Sequence, residues 1–129
     1  NLIKLCKNLK KKYKIQDSNI VGHSDIAPLR KKDPGEKFPW IYLANKKIGI
    51  WHKIKEKELK KFRNKKITKA ETLKFLKHLN KIGYFVKSLS NNKKFKLVKS
   101  FQRRFRQKLI NGKIDKECLI IAEKLSNLS

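Results

Sequence analysis

The chain has 129 residues, a length that suits one domain or two very small ones. It carries 36 Lys and Arg against 10 Asp and Glu, and the formal net charge of +26 predicts attraction to polyanions without naming one. No apolar run is long enough to cross a membrane, and the two cysteines have neither zinc-site nor disulfide-framework spacing.

The first fifty residues predict a helix, a strand, a loop and a second helix. Apolar residues over positions 2–13 recur at helical spacing among lysines, which indicates an amphipathic helix. Residues 19–22 are typical of a short buried strand that delivers His23 at its C-terminal end. A loop with Pro and Gly follows, and residues 38–44 resume a helical pattern.

The second half predicts three short helices behind a lysine-rich connection over residues 53–66. Thr68 and Glu71 have the spacing of a capping box in front of an apolar stripe. A second stripe includes Phe101, and Asp115 is placed to cap a third helix. Three such helices can share one small core.

The loop after the predicted strand combines residue types that bind a catalytic metal. It reads GHSDIAPLRKKDPGEKFPW from Gly22 to Trp40. His23 and Asp33 stand at its two ends, and the prolines between them restrict the backbone, so an imidazole and a carboxylate can be held in a fixed geometry. A hydrolytic zinc needs three protein ligands beside its open water position, and the third is not obvious. Taken alone, the His and Asp pair could also be ordinary loop residues.

This segment resembles the zinc-dependent N-acetylmuramoyl-L-alanine amidases of the AmpD/AmiD type, the amidase_2 family. Their second-half signature reads roughly G-H-x-D-I-A-P-x-R-K-x-D-P-G-x-x-F-x-W. The chain is similar to it from Gly22 to Trp40, with Leu29 in place of a small or polar residue. Such a long string of specific residue types is a strong signal.

The resemblance implies roles for individual residues. His23 and Asp33 fall on two of the three Zn²⁺ ligands, and Lys31 falls on the motif lysine, which could place its ammonium near the developing oxyanion. The implied reaction hydrolyses the amide between N-acetylmuramic acid and L-alanine in peptidoglycan or muropeptides. Asp25 and Arg30 are expected to be structural, with Asp25 bonding to nearby backbone amides.

Residues 67–129 resemble a three-helix peptidoglycan-binding domain, through FQRRFR at 101–106 and NGKID at 111–115. We therefore expect an α/β fold with a mixed sheet over residues 1–52, as the C-terminal part of an amidase domain. A basic linker over 53–66 and a small all-α domain over 67–129 would follow. The substrate-binding residues stay unknown, although the arginines of segment 101–106 are candidates for contact with a partner.

The family's first zinc histidine and its general-base glutamate precede the region of resemblance. Neither His52 nor His78 has motif support as a substitute, so we expect the chain to be inactive until it meets the missing N-terminal half of the amidase domain. The absence of Met from the sequence agrees with a portion lying elsewhere. The expected partners are that half and peptidoglycan or muropeptides.

Two other classes of function remain open at this stage. The chain could be a non-catalytic peptidoglycan-binding protein that keeps an incomplete amidase domain as scaffold. A basic nucleic-acid-binding protein is the less favoured alternative, because no nucleic-acid motif accompanies the charge, and no specific nucleic acid or transmembrane segment is expected. The resemblance favours the cell envelope, in the periplasm with an anchor supplied by the missing N-terminus, and a cytoplasmic enzyme is the alternative.

Overall fold

The computed structural model describes residues 1–26, 28, 35 and 37–128, and of residues 23 and 24 it describes the backbone alone. Within this part the chain forms seven α-helices and one 3-10 turn, Asp17–Asn19. The helices are α1 (Leu2–Tyr13), α2 (His23–Ile26), α3 (Trp40–Asn45), α4 (Glu56–Lys60), α5 (Lys69–Ile82), α6 (Asn91–Phe105) and α7 (Lys116–Ser126). None of these described helices has the length and apolarity needed to cross a membrane.

The expected α/β fold with a mixed sheet is wrong, because the described residues form helices and turns and no strand. At 19–22, where the strand was predicted, the 3-10 turn ends at Asn19 and residues 20–22 form an irregular link to α2, which begins at His23. Ile20 does have extended dihedral angles, with φ −95° and ψ 106°. A strand also needs a neighbour that takes up its backbone hydrogen bonds, and the described segments pair none with it.

The helix caps read from the sequence are present in the structure. The Thr68 hydroxyl accepts from the Glu71 N–H at 3.1 Å, while the Glu71 carboxylate accepts from the Thr68 N–H at 3.1 Å. Asp115 caps α7 by accepting from the Cys118 N–H at 2.9 Å. These bonds satisfy amides that a helix leaves unpaired in its first turn.

The larger core lies between α5, α6 and α7. Phe75 of α5 meets Phe101 of α6 edge to face, with ring centroids 5.2 Å apart, and both rings are fully buried. The other fully buried apolar side chains of this core are Leu79, Leu97, Val98, Cys118, Ile121, Ala122 and Leu125. Burial raises the pKa of the Cys118 thiol to about 12, so this cysteine behaves as a small apolar side chain.

The basic segment 53–66 packs against the start of α7. Lys116 donates its backbone N–H to the Lys65 carbonyl at 2.9 Å, and Asn64 donates its own to Asp115 Oδ2 at 2.9 Å. Leu59 of α4 is 3% exposed and belongs to the larger core. The division into 1–52, 53–66 and 67–129 stays a prediction, whereas these contacts fix segment 53–66 to the helices that follow it.

A smaller core joins α1 to α3 through buried Trp40, Leu43 and Ile48. Trp51 packs against both cores and so connects them. The two cores thereby place α3 beside the helices of the second half.

Candidate active site

The structure locates one of the three predicted site residues and only by its backbone. His23 is the first residue of α2. Lys31 and Asp33 lie outside the described residues, as does Arg30. The convergence of His23, Asp33 and Lys31 therefore stays a prediction. The geometry described below is that of their neighbours in the motif, Asp25 and Trp40.

Asp25 lies in α2, two residues after His23, and its carboxylate makes three of its described contacts. Its Oδ2 accepts from the Gly22 N–H at 2.9 Å, as expected from the sequence. Its Oδ1 accepts from the Tyr84 hydroxyl at 2.5 Å, and Oδ2 also accepts from Arg104 Nη1 at 3.2 Å. One carboxylate therefore joins the turn before α2 to two side chains of the second half.

Arg104 reaches the other end of the same motif. Its guanidinium lies over the Trp40 ring, 3.4 Å from the ring centroid, and it is 4.8 Å from that of Phe105. The Arg104 side chain is 2% exposed and the Asp25 side chain 8%. A desolvated cation over an indole is favourable by about 2 kcal/mol or more.

The protonation states suit this arrangement. Burial raises the pKa of Tyr84 well above its ordinary value, and the neighbouring Asp25 carboxylate raises it further. Tyr84 therefore stays a neutral hydroxyl that donates to Asp25. Burial lowers the pKa of Arg104, and the Asp25 carboxylate opposes that shift. An arginine keeps its proton in proteins, so the pair is ionic.

A cavity of about 200 Å³ lies between α2 and the second half of the chain. Its polar lining consists of Ser18, Asn19, Asp25, Tyr84 and Arg104, and the rest of its wall is mostly apolar. The apolar wall includes Val21, Ile26, Ile50, Ile82 and Phe105. Side chains do not fill this space. The bonds from Asp25 to Tyr84 and Arg104 connect α2 to the second half of the chain at its edge.

Two of the three arginines of segment 101–106, which the sequence makes candidates for contact with a partner, are buried, and Arg103 is half-buried. Arg104 and Arg106 are each 3% exposed. Arg106 Nη1 donates to Asp115 Oδ2 at 2.6 Å and to Glu117 Oε1 at 2.8 Å. Two of the candidate partner-binding arginines are thus engaged inside the protein.

The other two histidines make internal contacts as well. His52 is 4% exposed, and its Nδ1 accepts from the Ile54 N–H at 3.2 Å. Burial lowers the pKa of His52 to about 4. His78 Nδ1 is hydrogen-bonded to the Ser126 hydroxyl at 2.9 Å. Within the residues described, no three His, Cys, Asp or Glu side chains gather into a possible metal site.

Comparison with known proteins gives consistent matches. The chain is 38% identical over 125 residues to N-acetylmuramoyl-L-alanine amidase AmiD of Escherichia coli K12, covering 96% of the chain and 45% of AmiD. It is 49% identical over 39 residues to 1,6-anhydro-N-acetylmuramyl-L-alanine amidase AmpD of Enterobacter cloacae, covering 30% of the chain and 21% of AmpD. No family model matches the chain.

Solved structures match over nearly all of the chain. E. coli AmiD, in complex with anhydro-N-acetylmuramic acid-L-Ala-D-gamma-Glu-L-Lys, aligns with a TM-score of 0.83 and 36% identity over 98% of the chain and 50% of AmiD. AmpDh3 of Pseudomonas aeruginosa aligns with a TM-score of 0.81 and 30% identity over 98% of the chain and 51% of AmpDh3. The chain is a homologue of the AmpD/AmiD-type amidases. It spans about half the length of AmiD and AmpDh3.

In this AmpD/AmiD homologue, sequence reasoning missed the two residues that hold Asp25. Arg104 lies in a segment whose charge suggested an exposed surface, and its position beside two phenylalanines was the one sign of burial. Tyr84 follows the glycine that ends α5, and nothing in its sequence neighbourhood points to a carboxylate 59 residues away. Both contacts depend on the tertiary fold.

Proposed function

We propose that this chain supplies part of the zinc site of an N-acetylmuramoyl-L-alanine amidase. In this proposal His23 and Asp33 are two zinc ligands, and Lys31 assists the reaction. The substrate is the amide between N-acetylmuramic acid and L-alanine. The observation that carries the proposal is the unbroken motif from Gly22 to Trp40 in a chain homologous to AmiD along 96% of its length.

The donor set fits zinc as a partial site. An imidazole and a carboxylate are ordinary zinc ligands, and a catalytic zinc takes three protein ligands. His52 and His78 are held by internal hydrogen bonds, and the described residues contain no group of three metal donors. We therefore place the third ligand, and the general base, in a segment of the amidase domain outside these 129 residues.

A bound zinc would polarise the substrate carbonyl and lower the pKa of a water molecule. The residues of this chain would then position the metal and the substrate. Lys31 stands two positions before Asp33, so its ammonium can approach the oxygen on which negative charge develops. That role requires the ammonium to be aimed at the transition state and not at the resting carbonyl.

The substrate class follows from what the relatives bind. The AmiD and AmpDh3 structures hold anhydromuramyl peptides, and the AmpD relative is named for the anhydro sugar. We propose muropeptides of this chemistry, or peptidoglycan itself, as the substrate. The net charge of +26 would concentrate the chain near wall carboxylates.

The helices α5, α6 and α7 are proposed to bind peptidoglycan, and the cell envelope is the proposed location, with the cytoplasm as the alternative. The nucleic-acid alternative is weakened, because Arg104 and Arg106 are buried in ion pairs and cannot contribute to a basic surface. Residues 67–129 alone would lack Leu59, which covers part of the larger core, and Arg63, which pairs with the buried Glu117. Binding to the cell wall is therefore best measured with the whole chain.

Activity in the reassembled enzyme tests the proposal. The chain is combined with the N-terminal amidase segment, and release of the peptide from an anhydromuramyl peptide is followed. His23→Ala and Asp33→Ala should each abolish activity, whereas His78→Ala should leave it unchanged because His78 bonds to Ser126 in α7. Undiminished activity in both ligand variants would falsify the proposal.

Lys31→Ala separates the proposed assistance from metal binding. Zinc content should be unchanged while kcat falls by about 10²- to 10³-fold, the usual effect of removing one oxyanion donor. A loss of zinc would show that Lys31 supports the ligands. An unchanged kcat would remove Lys31 from the reaction.

A further inference from the structure

We propose that Tyr84 and Arg104 are positioning residues for the metal-binding loop, and that they act through Asp25. This inference rests on the proposed zinc site. In this inference the geometry of the zinc site depends on residues of the second half of the chain. The helices there would then support the zinc site in addition to their proposed binding of the cell wall.

The first support is the local instability of α2. A helix of four residues does not hold itself together in water, because nucleation costs more than its few hydrogen bonds return. The carboxylate of Asp25 holds it by accepting from the Gly22 N–H before the helix and from two side chains across the cavity. His23 lies between Gly22 and Asp25, so fixing both residues fixes the direction of its backbone.

The second support is that apolar packing contributes little to holding α2 in place. Ile20 packs against the smaller core, but Val21 is 42% exposed and Ile26, within α2, is 73% exposed, so α2 itself gains little from apolar packing. The cavity of about 200 Å³ leaves space between α2 and the bundle. Among the described hydrogen bonds and ion pairs, those to Tyr84 and Arg104 are the ones that join α2 to the second half of the chain.

The third support is that Arg104 contacts both ends of the motif. Nη1 donates to Asp25 near the beginning, and the guanidinium stacks on Trp40 at the end. The stretch between these residues carries Asp33. Because both ends of this stretch contact the same guanidinium, fewer conformations are open to it. The loss of conformational entropy on metal binding would therefore be smaller. Outer contacts of this kind typically change metal affinity by about 10- to 100-fold.

Amide hydrogen exchange on the chain without metal tests the positioning directly. Tyr84→Phe removes one hydroxyl and keeps the ring, and Tyr42→Phe is the matched control because Tyr42 is 52% exposed. The amides of Gly22 and Asp25 should exchange at least about 10-fold faster in Tyr84→Phe and in Arg104→Met, with the core of α7 unchanged. Unchanged exchange at Gly22 and Asp25 in both variants overturns the inference.

Zinc affinity in the reassembled enzyme tests the consequence. Tyr84→Phe should weaken zinc binding by about 10-fold in the wild type and should cost much less in an Asp25→Asn background, where the carboxylate that Tyr84 bonds to is already gone. Ile121→Val, a small core truncation away from α2, should leave zinc affinity unchanged. Independent, additive losses from Tyr84→Phe and Asp25→Asn would contradict the proposed route through Asp25.

The two proposals fail in different ways. If wild-type enzyme binds no zinc, or if His23→Ala keeps its zinc, the zinc proposal fails whatever Tyr84 does. If wild type binds zinc through His23 while Tyr84→Phe and Arg104→Met bind it equally well, the positioning role fails and the zinc site stands.

Discussion

Arg63 and Glu117 form a two-bond ion pair across 54 residues of sequence. Arg63 Nε donates to Glu117 Oε1 at 2.9 Å, and Nη2 donates to Oε2 at 2.8 Å. Arg106 Nη1 also donates to Glu117 Oε1, at 2.8 Å. The Glu117 side chain is fully buried, so two cations from separate segments balance one enclosed carboxylate. This pairing joins segment 53–66 to α6 and α7.

Replacing Glu117 should therefore be severe. Glu117→Gln leaves Arg63 and Arg106 without their shared anion, and breaking a buried ion pair costs about 3 to 5 kcal/mol in the free energy of unfolding. The control is Glu56→Gln, because Glu56 bonds to the same Arg63 but its side chain is 53% exposed. That change should cost less than about 1 kcal/mol. Urea unfolding of both variants checks the difference, and equal losses would contradict it.

His52 should make stability depend on pH. Its pKa is about 4 in the folded protein against 6.5 in the unfolded chain, because burial disfavours the imidazolium. The unfolded state therefore binds the proton more tightly, and stability rises with pH between these values. The contribution is complete above about pH 6.5 and is lost as the pH falls towards 4. It amounts to something on the order of 3 kcal/mol.

The measurement is the unfolding free energy at pH 4.5 and pH 7 for wild type and His52→Gln. Gln has no titration in this range, and every carboxylate is common to both proteins, so the difference isolates His52. Glu117 and Glu56 both favour the imidazolium and are present in both. The variant should lose less stability on acidification, and an equal loss would show that His52 is not the group responsible.

Gln102 should be essential to the turn before α7. It is fully buried, and its Oε1 accepts from the N–H groups of Asn111 and Gly112 at 2.9 and 2.8 Å. Gln102→Leu keeps the volume but leaves those amides unpaired, at a cost of about 3 kcal/mol. The control is Gln107→Leu, since Gln107 is only half-buried. Thermal unfolding distinguishes the two, and similar melting temperatures would contradict the assignment.

The capping box of α5 predicts a smaller effect. Thr68→Ala removes the hydroxyl that accepts from the Glu71 N–H and should cost about 1 kcal/mol in the unfolding free energy. Thr72→Ala is a useful comparison, because the Thr72 hydroxyl donates to the Thr68 carbonyl and pairs none of the free N–H groups at the start of the helix. A Thr68→Ala loss no larger than that of Thr72→Ala would argue against the cap.

The longer helices were predictable because their signals are local, whereas the short α2 was not. The capping residues Thr68 and Asp115 stand next to the apolar stripes that they begin, and both caps are found in the structure. The family relationship was equally accessible, since its motif is continuous from Gly22 to Trp40. The expected strand at 19–22 was wrong because a strand depends on a partner, and local sequence carries no information about one.

The supporting contacts were not predictable for the same physical reason. Arg104 and Arg106 lie in a run of charged residues of a kind that is usually exposed. Their burial is stabilised by ion pairs with residues distant in sequence, Asp25 for Arg104 and Asp115 and Glu117 for Arg106. The roles of His23, Asp33 and Lys31 come from the motif alone. They stay predictions until metal binding is measured.

Metal analysis after dialysis is the most direct test of the central claim. Zinc is measured in the chain alone, in the chain mixed with the N-terminal amidase segment, and in the same mixture carrying His23→Ala or Asp33→Ala. The account predicts one zinc per assembled enzyme in the wild-type mixture, and substoichiometric zinc in the chain alone and in both variants. Equal zinc in the wild-type mixture and both variant mixtures, or none in the wild-type mixture, would contradict it.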